Sequence, residues 1–244
     1  MSSNAGKLNV KIFADGAEKK GMIEMYQNPI ISGFTTNPTL MKKAGIASYK
    51  DFSLDILSEI KDKPISLEVF SDDFEEKEKQ ALEIASWGEN IYVKIPITNT
   101  KAQSSEKLIE KLSKANVKLN VTAMMTIEQL NKVVPLLAKG PGSYVSIFAG
   151  RVADAGIDPL PIMKEAVKIL KKYPNIELIW ASPRELFNIV QADVIGCHII
   201  TVTNDIIKKL PTLGKDLTEF SLDTVKMFYN DAKSAGYTIE YGEN

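Results

Sequence analysis

Eight short apolar runs, separated by segments of helical periodicity, constrain the fold of this chain more than any other feature of its sequence. The runs are rich in β-branched and aromatic residues, which is typical of strands buried on both faces. The predicted strands are Leu8–Ala14, Ile30–Thr35, Pro64–Phe70, Asn90–Ile95, Val117–Thr122, Ser143–Ala149, Ile176–Ser182 and Cys197–Val202. The predicted helices between them are Ala17–Tyr26, Ser48–Glu59, Phe74–Ser86, Gln103–Lys114, Ile127–Leu137, Ile162–Lys172 and Pro183–Gln191. Eight strand–helix units predict an α/β fold, a closed (β/α)₈ or TIM barrel.

The length of 244 residues suits one such barrel, so we expect a single domain over residues 1–244. A doubly wound open sheet is the alternative, but no Gly-x-Gly-x-x-Gly turn follows the first strand. Two more helices are predicted after the eighth strand, at Asn204–Lys209 and Ser221–Ala235. Residues 211–235 are therefore expected to form a C-terminal helical extension.

The composition excludes several classes of function. Lys+Arg 30 against Asp+Glu 31 leaves a net charge of −1, which favours neither nucleic acid nor an anionic membrane as a partner. No apolar run approaches the roughly 20 residues of a membrane span, and the first residues lack a signal-peptide core. The single cysteine, Cys197, fits a reducing cytoplasm. Cys197 and His198 are neighbours on a predicted strand and point to opposite faces, so no zinc site is expected.

Lys94 lies near the end of the otherwise apolar run Asn90–Ile95, which Pro96 closes. A strand buried on both faces accommodates an ammonium group only at a cost, unless the site uses the group. A lysine at a strand end can also extend its amine to solvent, so position alone leaves both interpretations open. Because a metal site is not expected, Lys94 is the candidate Schiff-base nucleophile for carbonyl chemistry, and burial favours the neutral, nucleophilic form of an amine.

Polar residues also stand at the ends of most other predicted strands, where the catalytic groups of a barrel are found. They are Asp15, Thr36, Asn37, Glu68, Asn120, Thr122, Ser146, Ser182, Thr201 and Thr203, with Phe148 on the same face as Ser146. Glu68, with a water held by Thr122, is a candidate proton shuttle for carbinolamine dehydration. Asp15 is the candidate for the second proton transfer, at the hydroxyl next to the bond that breaks.

Two arginines, Arg151 and Arg184, follow strand ends and suit a bidentate grip on a phosphate. A helix predicted to begin near Pro183 would add free N–H groups. The combination indicates a phosphorylated sugar and a metal-free aldol reaction.

Purely structural interpretations compete at several of these positions. Asn37-Pro38 has the pattern of a helix start, and Ser182 to Glu185 has that of a capping box. Both arginines would also be ordinary on a surface. Asp154 and Asp158 are interpreted as turn and cap residues.

Five runs resemble the signature blocks of transaldolases and come in that family's order: residues 33–40, 92–96, 120–123, 146–151 and 181–184. The resemblance implies a class I aldolase-type barrel without metal or organic cofactor, acting on sugar phosphates in the pentose phosphate pathway. It implies transfer of a dihydroxyacetone unit from a ketose phosphate to an aldose phosphate. It also implies a homo-oligomer, with the terminal helix as a candidate contact.

The resemblance assigns a role to each matching position. Lys94 corresponds to the Schiff-base lysine, Asp15 to the acid/base aspartate, and Glu68 and Thr122 to the pair that positions the catalytic water. The substrate-binding positions are Asn37 and Asn120 for the dihydroxyacetone hydroxyls, Ser146, Arg151, Ser182 and Arg184 for the phosphate, and Phe148 for the pocket wall.

The chain departs from the family at Ile147 and Pro183, where a proline and an aromatic residue are expected. The related fructose-6-phosphate aldolases resemble a version with Gln and Tyr in place of Glu68 and Phe148, so transaldolase is favoured over simple aldol cleavage. A specialised sugar-phosphate aldolase and a non-catalytic sugar-phosphate-binding barrel are the other hypotheses. The last has no need for an amine, a base and an acid together.

Overall fold

In the computed structural model, which describes residues 8–241, eight parallel strands close into a barrel in sequence order. The strands are β1 (Lys11–Asp15), β2 (Ile31–Thr35), β3 (Ile65–Glu68), β4 (Ile91–Pro96), β5 (Leu119–Met124), β6 (Ser143–Ile147), β7 (Ile176–Trp180) and β8 (Ile199–Thr203). The helices are α1 (Lys19–Gln27), α2 (Pro38–Lys43), α3 (Tyr49–Glu59), α4 (Phe74–Ala85), α5 (Glu106–Lys114), α6 (Ile127–Leu137), α7 (Ala149–Asp154), α8 (Leu160–Leu170), α9 (Phe187–Val194), α10 (Asn204–Ile207) and α11 (Leu217–Ser234). The predicted TIM barrel with a C-terminal helix is confirmed.

The chain divides into two compact units. Leu8–Lys208 carries the strands and helices α1 to α10, and the unit from Lys209 onward carries α11. Every helix of the described residues is too short or too polar to cross a membrane.

The loop after β7 differs from the prediction. Ser182 does not cap a helix, because its φ of +60° lies in the left-handed region and α9 begins only at Phe187. The N–H groups of Arg184 and Glu185 instead donate to the side-chain oxygen of Asn188. The predicted capping box at Ser182, and the helix start near Pro183 that would have offered free N–H groups, are therefore wrong.

Asn37 has the predicted cap. Its side-chain oxygen accepts from the N–H of Leu40, and Pro38 is the first residue of α2. The chain thereby passes from β2 into a short helix directly after the strand ends. Asn37 is fixed at the carboxyl edge of the barrel as a result.

Aromatic side chains fill the amino-terminal half of the barrel interior. Phe13 is 1% exposed and meets the edge of Tyr144 at a centroid distance of 5.7 Å, and Tyr144 stacks on Tyr92 at 3.9 Å. Gly33 leaves room for this layer, since a Cβ atom there would lie 2.6 Å from the Phe13 ring. Because alternate residues of a strand share a face, Asp15 and Lys94 stand two residues beyond Phe13 and Tyr92, in the next layer toward the carboxyl ends.

Candidate active site

A cavity of about 530 Å³ opens at the carboxyl ends of the strands. It is lined by all the residues that the sequence analysis assigned to catalysis and substrate binding: Asp15, Asn37, Glu68, Lys94, Asn120, Thr122, Ser146, Phe148, Arg151, Ser182 and Arg184. Thr35, Lys43 and Thr201 also line it. The cavity thus collects polar groups from strands that are far apart in the sequence, at the edge where TIM barrels carry their active sites.

Lys94 forms a buried ion pair at the floor of the cavity. Its side chain is 7% exposed, and its Nζ atom lies 3.0 Å from Oε2 of Glu68. Nζ also donates to the backbone carbonyl of Thr36 at 2.7 Å. Glu68 and Lys94 are direct register partners on β3 and β4, which explains the contact. A carboxylate is therefore placed within proton-transfer distance of the amine.

Tyr49, which the sequence analysis did not single out, fixes the backbone of Glu68. Its hydroxyl accepts from the Glu68 N–H at 2.8 Å and donates to the Glu68 carbonyl at 2.9 Å. Burial raises the pKa of the Tyr49 hydroxyl, so it stays neutral and can do both. No local sequence pattern indicates this contact, because it joins Tyr49, the first residue of α3, to a residue 19 positions away.

Asn120 is held by two serines in the barrel interior. Ser146 Oγ donates to Asn120 Oδ1 at 2.7 Å, and Asn120 Nδ2 donates to Ser66 Oγ at 3.0 Å. All three residues are buried. These bonds fix which end of the carboxamide is the acceptor, so Asn120 presents a defined polar surface to a ligand.

Thr122 carries a buried hydroxyl without a partner among the described residues. The side chain is on the cavity wall and the residue is 1% exposed. A buried polar atom of this kind is costly unless something bonds to it. The hydroxyl is therefore suited to hold a water molecule or a substrate oxygen.

Asp15 receives a hydrogen bond from a threonine that the sequence analysis did not assign. Thr35 Oγ1 donates to Asp15 Oδ1 at 2.7 Å and lies 2.5 Å from Thr201 Oγ1. Because Thr35 has a single hydroxyl proton, Thr201 is the donor in the second contact. Burial raises the pKa of the Asp15 carboxyl, while the charge of Lys94 and the Thr35 hydrogen bond oppose the rise. A carboxyl with a raised pKa is suited to accept and return protons.

The two arginines at the cavity rim differ in their partners. Arg151 lies 5.9 Å from the ring centroid of Phe148 and has no ion pair within residues 8–241. Arg184 Nε donates to Asp154 Oδ1 at 2.9 Å, and Arg184 Nη2 contacts Asp154 Oδ2. The interpretation of Asp154 as a turn or cap residue is therefore wrong. Asp158 does cap, since its Oδ1 accepts from the N–H of Leu160, the first residue of α8.

Gly150 brings the two arginine-bearing segments together. A Cβ atom at this position would lie 1.5 Å from the carbonyl oxygen of Ser182 and 3.4 Å from Arg184 Cζ. Only glycine permits so close an approach between α7 and the loop after β7. The end of the cavity that carries the two arginines therefore depends on a residue without a side chain.

Fold and site together define a (β/α)₈ barrel with a buried lysine–glutamate pair at the carboxyl ends of its strands. Residues 12–239 match the sequence model of the family described as transaldolase/fructose-6-phosphate aldolase. The chain belongs to this family.

Curated relatives agree with this assignment. A probable transaldolase of Thermoanaerobacter sp. (strain X514) is 35% identical over 234 residues, which cover 94% of this chain and 100% of the relative. A probable transaldolase of Dehalococcoides mccartyi is 34% identical, with coverage of 88% and 97%. Among solved structures, the tryptophan synthase α subunit of Campylobacter jejuni matches with a TM-score of 0.54 at 15% identity, covering 86% of this chain and 93% of that one. This last likeness concerns the fold alone.

Proposed function

We propose that this protein is a transaldolase that moves a dihydroxyacetone unit between sugar phosphates through a Schiff base on Lys94. The reaction converts sedoheptulose 7-phosphate and glyceraldehyde 3-phosphate to erythrose 4-phosphate and fructose 6-phosphate. The observation that carries the proposal is the buried pair of Lys94 and Glu68, 3.0 Å apart, at the floor of a polar cavity. Family membership and the probable transaldolases among its relatives support the same reaction.

The first half of the reaction captures the donor. The ammonium of Lys94 passes a proton to Glu68, and the neutral amine attacks the C2 carbonyl of the ketose phosphate. The carbinolamine loses its hydroxyl as water, to which a proton is returned, and an iminium ion remains on Nζ. The unpartnered hydroxyl of Thr122 is suited to hold that water.

The second half breaks and re-forms a carbon–carbon bond. Asp15 accepts the proton of the C4 hydroxyl while the C3–C4 electrons move into the iminium, so that the aldose phosphate leaves and an enamine remains. The enamine carbon then attacks the acceptor aldehyde, and Asp15 returns the proton to the new hydroxyl. Hydrolysis of the product iminium restores Lys94. Each proton that a carboxylate takes is returned, and no redox partner is required.

The other residues hold the substrate. Asn37 and Asn120 are suited to the hydroxyls of the three-carbon unit, and Asn120 is already oriented by Ser146 and Ser66. Arg151 and Arg184, with Ser182, are suited to the phosphate, because guanidinium groups bind phosphate oxygens bidentately. We infer a cytoplasmic enzyme without organic cofactor, in keeping with its one cysteine.

A transferase can be told from an aldolase by its dependence on the acceptor. We expect the protein to convert fructose 6-phosphate and erythrose 4-phosphate to sedoheptulose 7-phosphate and glyceraldehyde 3-phosphate, because the enamine needs an aldehyde to leave the enzyme. Product should accumulate far more slowly when the acceptor is omitted. Both reactions are followed by chromatography of the sugar phosphates, with heat-treated protein as the control.

Vigorous cleavage without acceptor would instead identify a fructose-6-phosphate aldolase or a specialised aldolase. Binding of fructose 6-phosphate without any turnover would support the hypothesis of a non-catalytic sugar-phosphate-binding barrel. Glu68 and Phe148 are the residues that favour the transferase over the first of these.

We also propose that residues 1–244 form one domain with a C-terminal extension, residues 211–235, through which the protein assembles with copies of itself. Helix α11 has no buried residue, yet large apolar side chains are exposed along it. Leu217, Phe220 and Phe228 are 80%, 46% and 63% exposed and follow a helical spacing of three and eight. An exposed stripe of three large apolar side chains is typical of a protein–protein contact.

The assembly is tested by a charge placed in the stripe. Phe228→Asp is expected to lower the mass measured by analytical ultracentrifugation, because a carboxylate cannot be buried unpaired in an apolar interface. Lys226→Glu, on the opposite side of α11, is the control and should retain the mass of the unaltered protein. Equal masses for all three proteins would remove α11 from the contact.

A further inference from the structure

The ion pair between Arg184 and Asp154 leaves part of the guanidinium free for a second anion. A guanidinium carries five N–H donors. The pair uses Nε, which donates to Asp154 Oδ1 at 2.9 Å, and one donor of Nη2. The donors of Nη1 and the second donor of Nη2 are not taken by Asp154. Arg184 can therefore bind its carboxylate and a phosphate oxygen at the same time.

The carboxylate approaches Arg184 from outside the cavity. In the described part of the chain the lining residues include Arg184 and do not include Asp154. The guanidinium lies close to α7 at Gly150, where an added Cβ would lie 3.4 Å from Arg184 Cζ. Asp154, the last residue of α7, and Gly150, near its start, thus hold the arginine along the helix.

The pair joins helix α7, which follows β6, to the loop that follows β7. Asp154 lies after β6 and Arg184 after β7, so the pair spans 30 residues of sequence. Both side chains are about half exposed, at 45% and 54%. A pair of this exposure adds little to overall stability. Its effect is to select one orientation of a long side chain that would otherwise sample many rotamers.

We propose that Asp154 is a positioning residue that holds Arg184 in the orientation that binds the substrate phosphate, and so determines the preference for phosphorylated sugars. This inference rests on the proposed function for the phosphate-binding role of Arg184. It assigns the preference for phosphate to a carboxylate, which by its charge alone would repel the ligand.

The loss of charge and the loss of positioning predict opposite effects on phosphate binding when Asp154 is replaced by asparagine. Asp154→Asn removes a negative charge near the rim, which by Coulomb's law strengthens the binding of a phosphate. It also weakens the bidentate pair and frees the arginine, which weakens binding. A loss of affinity in this variant therefore reports on positioning. Glu185→Gln removes the same charge next to Arg184 in sequence and is the matched control.

The test measures both turnover and binding. With fructose 6-phosphate as donor, Asp154→Asn should raise KM about three- to fivefold, the size expected for loss of one half-exposed ion pair, with kcat little changed. KM for unphosphorylated fructose should not change, and Glu185→Gln should raise KM for neither donor. Calorimetry with inorganic phosphate should show the same three- to fivefold increase in Kd for Asp154→Asn. In an Arg184→Gln background, Asp154→Asn should have no further effect on that Kd.

Several outcomes would overturn the inference. These are unchanged or tighter phosphate binding by Asp154→Asn, an equal loss with fructose, a loss that persists in the Arg184→Gln background, and no phosphate binding by the unaltered protein. A protein that binds phosphate as described but turns over no sugar phosphate would refute the proposed function and leave the inference intact. Full transaldolase activity, together with an Asp154→Asn variant that binds phosphate as well as the unaltered protein does, would refute the inference and leave the proposed function intact.

Discussion

Replacing Lys94 with methionine is expected to lower the turnover of fructose 6-phosphate about a thousandfold or more, because the covalent route is lost with the amine. Methionine keeps an unbranched apolar stem of similar volume, so the interior should remain packed. The loss should therefore appear in kcat, measured with erythrose 4-phosphate as acceptor. Some loss of thermal stability is expected as well, because Glu68 is left without its cation.

The covalent intermediate itself can be trapped. Borohydride delivers a hydride to the iminium carbon and leaves a stable secondary amine, so a sugar-derived fragment stays on the protein. In unaltered protein treated with fructose 6-phosphate and borohydride, peptide mass spectrometry should find this fragment on Lys94. The Lys94→Met variant should acquire none there.

Two other lysines serve as controls for this experiment. Lys77 is also buried, at 2% exposure, and desolvation lowers the pKa of its ammonium, but it lies on α4 outside the cavity. Lys43 lines the cavity but is exposed at its rim. Lys77→Met and Lys43→Met should both keep the adduct. An adduct on either of these lysines, or none on Lys94, would contradict the Schiff-base assignment.

Glu68→Gln is the second change with a large expected effect. Gln keeps the shape and hydrogen-bonding capacity of the side chain but cannot take up a proton from Lys94. General acid–base groups of this kind contribute about 10²- to 10⁴-fold, so kcat should fall within that range while KM stays similar. Rapid-quench trapping with borohydride should show that the adduct on Lys94 forms more slowly in this variant.

The sign of this effect is informative, because removal of the negative partner also favours the neutral amine and by itself would speed the attack. Glu177→Gln is the matched control, since Glu177 pairs with Lys11 at Nζ–Oε1 2.8 Å on β7 and β1 and does not line the cavity of the described residues. It should leave kcat unchanged. Unaltered kcat in Glu68→Gln would assign the proton transfers to another group.

Local sequence patterns predicted the barrel and most of the polar residues that line its cavity. Strand ends placed Lys94, Glu68 and Asn120 at one rim of the predicted barrel, and the register of β3, β4 and β5 makes them neighbours. This works because parallel strands of one barrel share a carboxyl edge, so a one-dimensional pattern specifies the height and the face of each side chain. Strand bounds moved by a few residues, as with Leu8–Ala14 against Lys11–Asp15.

Contacts between distant segments could not be read in the same way. The capping-box pattern at Ser182 was locally convincing, yet the carbonyl of Ser182 has to fit against Gly150 of α7, and its backbone takes a left-handed conformation there. The hydrogen bonds from Tyr49 to Glu68 and from Thr35 to Asp15 join residues 19 and 20 positions apart. Such partners are selected by barrel closure, which no local propensity encodes.

The sequence by itself determined a barrel with a lysine, a glutamate and an aspartate at one edge, because periodicity and strand ends are local properties. Only the tertiary structure decided how those groups are held. It paired Lys94 with Glu68 at 3.0 Å, left the hydroxyl of Thr122 unpartnered among the described residues, and turned Asp154 from a supposed turn residue into the partner of Arg184. The physical reason is that these contacts depend on the packing of loops from different strands, whose side chains meet only after the barrel has closed.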